Sequence, residues 1–207
     1  EPIRAAVFRG KGSMCHIDVD YQECQTLRDT TRELVEAEQD EQELAERADA
    51  LLDAMQEGDD EAAAARTAIT DELDEVRQER AELEASNFCE RFYENLTQDT
   101  DAFREWLFAD VRTPDDVYDY ADGRGLCGYE LLKESMEGVD LAICNYNHLL
   151  DPTIREQFFR WLDRDPSEVV VVFDEAHNIE GAALSLIHTY AADDSARAYL
   201  GGSPLLY

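Results

Sequence analysis

Lysine is nearly absent: only Lys11 and Lys133 occur, and all 18 basic residues stand against 49 acidic ones, a net charge of −31. A chain so charged is excluded from ordinary electrostatic binding of nucleic acid at low salt. Long apolar runs are missing too; the longest, around Val169–Phe173, is far short of a membrane span. No basic segment followed by an apolar stretch opens the chain, so the expected location is the cytoplasm. The phosphate-cradling pattern GxxxxGK[ST] is also lacking, because Gly10, Lys11, Gly12 and Ser13 come nearest without the loop spacing. The chain is therefore not expected to hold or hydrolyse ATP by itself. It starts at Glu1 and closes on Leu205, Leu206 and Tyr207 without capping signals, which reads as part of something longer.

What is present explains the charge. The remaining basic residues are arginines, and the acids spread over every segment, a pattern fitting salt-loaded cytoplasm. At molar salt the Debye length is about 3 Å, so the excess acid repels little and mainly hydrates the surface. With 207 residues, 44% hydrophobic, the chain can build one ordinary core or two small ones.

Residues Leu27, Thr30, Leu34, Ala37, Glu41, Leu44, Ala48, Leu51 and Met55 alternate three and four apart, the seam of a long amphipathic helix. Glu57, Gly58, Asp59 and Asp60 interrupt it, and Ala62, Arg66, Ile69, Leu73, Val76, Arg80 and Leu83 resume the same spacing. The pattern predicts an antiparallel coiled-coil hairpin over 27–85. It carries 21 acidic and 6 basic residues between Arg28 and Glu84, so its outer face is a solvated spacer or a docking arm for a protein partner. Beyond Asn87 the sequence predicts helices around Phe103–Phe108 and from Thr113, then a turn at Gly123–Gly125. Val139–Tyr146 and Glu168–Phe173 read as buried strands flanking a helix from Pro152 to Trp161, part of a parallel α/β sheet.

The second strand runs directly into Asp174, Glu175, Ala176 and His177, placing two carboxylates at its C-terminal end, where open parallel sheets bind ligands. In a nucleotide hydrolase one such carboxylate holds Mg2+ and the next polarises the attacking water. The alternative is an acidic cap on a helix starting at Glu175. The full string VVVVFDEAHNIE resembles motif II, the DEAH box, of superfamily 2 helicases.

Five cysteines form the other signal: Cys15, Cys24, Cys89, Cys127 and Cys144. Their irregular spacing shows no zinc-finger pairs, and a reducing cytoplasm disfavours disulfides, so the first four point to a metal or an iron–sulfur cluster. Cys144, inside the apolar strand, is expected to be a buried packing residue.

Cysteines upstream of a DEAH box resemble the XPD-type iron–sulfur DNA helicases, through FRGKGSMC, ECQTL, FCERFYE, LCGYELLK, CNYNHLLDP and VVVVFDEAHNIE. The resemblance implies that Cys15, Cys24, Cys89 and Cys127 bind one [4Fe–4S] cluster, and that Asp174 binds Mg2+ while Glu175 activates water and His177 relays the nucleotide state. It implies an ATP-dependent 5′-to-3′ helicase acting on single-stranded or forked DNA in repair, completed by the rest of a helicase chain.

The implied layout is RecA-like motor domain 1 over 1–13 and 131–180, an iron–sulfur domain over 14–130 bearing the hairpin, and the start of an arch domain over 181–207. Lys11 is the candidate contact to the cluster's surroundings or to a DNA phosphate. Tyr129 and Tyr93 are candidates for stacking on bases, at about 1–3 kcal/mol each, while Phe92 is given to core packing. Gly128 stands where relatives usually carry proline, which is expected to loosen the turn after Cys127. The competing reading is a non-enzymatic zinc module with a coiled-coil arm.

Overall fold

The computed structural model describes residues 3–56 and 60–187. It is mostly helical with a small parallel sheet, in the order β1 (Ala5–Val7), α1 (Tyr21–Gln56), α2 (Asp60–Glu84), α3 (Glu90–Thr97), α4 (Asp101–Phe108), α5 (Pro114–Asp122), α6 (Gly128–Glu134), β2 (Leu141–Ile143), α7 (Asn147–Leu150) and α8 (Pro152–Leu162). The described residues divide into two compact units, one of 10–56, 60–106 and 115–131, the other of 3–9, 107–114 and 132–187.

In the first unit α1 packs along α2. The buried positions include those of the three-four spacing: Leu34, Ala37, Leu44 and Ala48 on α1, and Ala62 and Leu73 on α2. Each leucine so buried contributes about 1.5–3 kcal/mol of transfer free energy, which offsets weak nucleation in two acid-rich helices. Glu41 bridges to Arg77 at 3.0 Å and Arg80 at 2.8 Å, so a residue near the middle of α1 meets late residues of α2. Fully buried Thr31 binds across the two segments, its hydroxyl donating to the Leu27 carbonyl and accepting from the Cys89 N–H at 3.0 Å. The unit's core continues through Phe92, Phe103, Val117, Ala121 and Leu126.

One glycine there is closely packed. A Cβ on Gly128 would lie 3.0 Å from the Ala121 Cβ and 3.2 Å from the Val117 carbonyl oxygen, so a side chain at the start of α6 requires α5 to give by a few tenths of an ångström.

In the second unit β1 and β2 pair in parallel, Ala6 opposite Ala142. Arg4 fastens the start of the pair by two guanidinium bonds to Asp140, both 3.1 Å. Phe8 leads from β1 into a cluster with His148, Phe158 and Trp161, its ring centroid 5.3, 5.9 and 5.4 Å from theirs. Helix α8 begins on the Asp151 side chain, which accepts from the Thr153 and Ile154 amides with Pro152 in the first turn, and ends at Asp163 in the left-handed region.

Two strand expectations need correction. Within Val139–Tyr146 only Leu141–Ile143 forms a strand, and it is not buried: Leu141 is 48% exposed and Ile143 47%. Residues 169–173 form no strand, and Val170 and Val172 are 89% and 87% exposed. A strand buried on both faces needs ladder partners and covering helices. Among the described residues the sheet has two strands, so the valine run has neither, and the parallel partner of β2 is β1 rather than that run. The segment expected to open an arch domain, 181–207, lies outside the described residues beyond 187.

Candidate functional site

Four chain segments bring Cys15, Cys24, Cys89 and Cys127 to one cavity in the first unit, whose wall also includes Lys11, Arg28, Phe92, Tyr129 and Glu130. Local structure fixes each of the four. Cys15 follows the short turn at Lys11–Ser13 and donates its N–H to the Lys11 carbonyl at 2.9 Å. Cys24 lies in the first turn of α1, Cys89 is the residue before α3, and Cys127 directly precedes α6. Three of the thiols thus sit at helix starts, where free N–H groups favour negative charge on sulfur.

Two buried side chains aim the later cysteines. Thr31 accepts from the Cys89 N–H, and Asn95, 7% exposed, clamps Cys127 from both sides of its main chain. The Asn95 amide donates to the Cys127 carbonyl at 3.0 Å, and its carbonyl oxygen accepts from the Cys127 N–H at 2.9 Å.

All five cysteines are free thiols, half-buried. Burial pushes the Cys127 thiol up to about 12, with Glu130, Cys89 and Cys15 adding to the rise against a main-chain hydrogen bond from Glu130. Burial also raises Cys89, with Cys24 and Cys15 contributing, while main-chain bonds from Phe92 and Arg91 oppose it. The thiols therefore feel one another, each ionised sulfur disfavouring ionisation of the next. Among the described residues no three His, Cys, Asp or Glu side chains are set to hold a metal ion. The donor chemistry nevertheless fits a thiolate-ligated group, since a coordinated thiol is deprotonated outright by its metal.

Cys144 lies in the other unit, half-buried and one residue past β2 rather than inside a buried strand, and burial raises its thiol as well.

The candidate DNA contacts are placed differently. Tyr129 is 9% exposed, and burial pushes its phenol upward, so it presents no open ring to a base. Tyr93 donates its hydroxyl to Glu38 at 2.9 Å, and that bond is the main cause of its raised phenol. Lys11 gives its ammonium to the Val19 carbonyl at 3.0 Å and to the Asp20 carbonyl. Phe92 is buried at 2%, as expected for core.

Asp174, Glu175 and His177 lie together in the second unit, all exposed. Asp174 accepts from the Glu175 N–H at 2.9 Å, and Glu175 takes a left-handed conformation at φ 47°. Its carboxylate stands 3.3 Å from the His177 Nδ1. The Tyr146 hydroxyl donates to the carbonyls of Asp174 and Glu175, tying the turn to the CNYN segment. Asp174 is thus not a side-chain cap of the turn at Ala176–Asn178, whose preceding residue, Glu175, makes no capping bond.

Sequence reasoning did not single out Thr31, Asn95, Arg28 or Glu130. Arg28 is one helical turn past Cys24 and Glu130 three residues past Cys127, a spacing that could have marked both. Buried Glu130 is otherwise one of 49 acids, and composition hides it.

A family model, DEAD_2, matches residues 31–192. The General transcription and DNA repair factor IIH helicase subunit XPD of Schizosaccharomyces pombe is 33% identical over 87 residues, 42% of this chain and 11% of that protein. The Fanconi anemia group J protein homolog of Gallus gallus is 41% identical over 69 residues, 33% of this chain and 5% of the relative. The Dictyostelium discoideum XPD subunit is 30% identical over 97 residues, 47% of this chain and 12% of the relative. The match thus spans about an eighth or less of these relatives' lengths.

Proposed function

The chain belongs to the DEAD_2 family, that of the XPD-type helicases, and from that membership we propose that it supplies the iron–sulfur region and DEAH box of an ATP-dependent DNA helicase serving repair. The observation that carries the reading is the convergence of Cys15, Cys24, Cys89 and Cys127 on one cavity, although they range over more than half the chain.

In this reading the four cysteines hold a [4Fe–4S] cluster, which staples a loop-rich fold and can exchange an electron. Thr31 and Asn95 position two of the ligands through their main chain. The α1–α2 pair is an antiparallel coiled-coil arm inserted between Cys24 and Cys89, supported by the pairing of Glu41 with Arg77 and Arg80. By returning the chain near its start, the arm lets two distant ligands share a site and leaves an acidic surface for a protein partner.

Residues 1–13 and 131–180 belong to the first motor domain, 14–130 to the cluster domain and 181–207 to the start of the arch. In the complete cytoplasmic helicase, Asp174 holds Mg2+, which neutralises charge on the ATP phosphates. Glu175 takes the proton of the attacking water, and His177, beside Glu175, passes the state of that site to the DNA-contacting parts. The cluster domain serves as wedge or gate at a fork while the motor moves 5′ to 3′ on single-stranded DNA.

The test is anaerobic purification followed by a visible absorption spectrum with iron and sulfide analysis, repeated on Cys127→Ser. About four irons and four sulfides per chain, lost in the variant, are expected. A colourless protein with one equivalent of zinc would overturn the reading in favour of a zinc-binding interaction module.

A further inference from the structure

The wall of the cysteine cavity contains a buried ion pair that none of the ligand positions explains. Glu130 has a side chain 1% exposed and Arg28 one 16% exposed, and the Arg28 guanidinium donates to the Glu130 carboxylate. Both line the same cavity as the four thiols. A buried pair of this kind is commonly no more stabilising than two apolar side chains of equal size. Stability alone therefore gives no reason for charges here.

Three charged side chains other than the thiols line the cavity: Lys11, Arg28 and Glu130. Lys11 is bonded to the Val19 and Asp20 carbonyls. Arg28 is different: its buried Nε finds no hydrogen-bond partner among the described residues. Its charge is felt by Glu130 and by Cys24. A cluster held by four thiolates is a net anion, and reduction adds one more negative charge, so nearby charges weigh on the two oxidation states unequally.

Resting on the cluster assignment above, we propose that the Arg28–Glu130 pair is the charge balance of the four-cysteine cavity and sets the reduction potential of the cluster bound there. Arg28 favours the reduced, more negative state; Glu130 favours the oxidised one and holds Arg28 in place. The step concerned is entry of one electron from a low-potential donor such as dithionite. No bond is made or broken and no proton moves. Both are positioning residues: they act on the cluster through its field and ligate nothing.

The full chain is purified anaerobically as wild type, Glu130→Gln, Arg28→Gln and Arg28→Lys. Iron and sulfide are counted, and the reduced-to-oxidised ratio is read by electron paramagnetic resonance at one fixed potential. Glu130→Gln is expected to raise the ratio about tenfold, equal to 59 mV for a one-electron couple, and Arg28→Gln to lower it by a similar factor. Arg28→Lys, which keeps the charge, should stay close to wild type. Equal ratios in all four proteins, or shifts of Glu130→Gln and Arg28→Gln in one direction, would overturn the proposal while leaving the cluster intact.

Where a single variant loses iron, its cluster is rebuilt anaerobically with ferrous iron and sulfide before the ratio is read. Opposite shifts of Glu130→Gln and Arg28→Gln are again expected, and the wild-type ratio in both overturns the proposal. A wild-type chain without iron and sulfide overturns the cluster assignment itself, which separates the two failures.

Discussion

His148 shows how a single titratable residue in the CNYNHLL segment is put to structural use. It is 5% exposed, its ring packed edge-on against Phe8 and beside Phe158, with Nδ1 2.9 Å from the Asn145 side-chain oxygen. Burial lowers its affinity for a proton, and the Asn145 main-chain bond only partly opposes that. The folded chain thus binds the proton less readily than the unfolded chain, whose imidazole titrates at about 6.5. His148 contributes its full stability above that value, and the contribution falls as the pH drops through it toward the lower folded pKa, by at most about 1.4 kcal/mol per pH unit. Urea unfolding from about pH 8 to pH 5 should show wild type losing stability faster than His148→Gln. Parallel profiles would show that the ring is protonated equally in both states. Cys127 lies at the same scale but differs in kind: its thiol is pushed up by burial, and its main chain is held by Asn95 at both ends.

At the scale of elements, the start of α6 carries the sharpest constraint. A Cβ on Gly128 would lie 3.0 Å from the Ala121 Cβ and 3.2 Å from the Val117 carbonyl oxygen, and the second of these is main chain, which gives less readily than the end of a flexible side chain. Alanine is a better helix former than glycine by about 1 kcal/mol in a helix interior. At the first position of a helix that gain is smaller, and overpacking costs about 1–3 kcal/mol. Gly128→Ala should therefore lower the urea midpoint and weaken iron retention, since Cys127 is the adjacent residue. A raised midpoint would mean that α5 yields cheaply. The long helices tolerate more, because small residues such as Ala37, Ala48 and Ala62 fill their seam and most other positions are exposed.

For the whole molecule the governing quantity is the charge of −31. Ion pairs such as Arg80–Glu41 are weakened by salt, but 49 acids against 18 bases means that repulsion outnumbers attraction. The Debye length falls from about 30 Å at 0.01 M to about 3 Å at 1 M, so added sodium chloride removes more repulsion than attraction. The thermal midpoint is expected to rise steadily across that range. A flat or falling midpoint would show that the compact state depends on its ion pairs, and that the acidity is not an adaptation to salt.

Local patterns were legible in the sequence wherever a residue's role depends on near neighbours. The three-four spacing identified the inward positions of α1 and α2, and the helix expected from Pro152 to Trp161 is α8. The four candidate ligands and the acidic pair after the valine run were likewise readable as residue types, and the resemblance they carried is the family to which the chain belongs. Tertiary structure alone decided what those residues face. Burial is a property of what lies across the chain, so Tyr129 enters the cavity wall, whereas the valines of 169–173, without ladder partners among the described residues, stand exposed. The same holds for Arg28 and Glu130, which are ordinary charges in the sequence. Only the fold, by bringing residue 28 to residue 130 beside four thiols, makes them a buried pair.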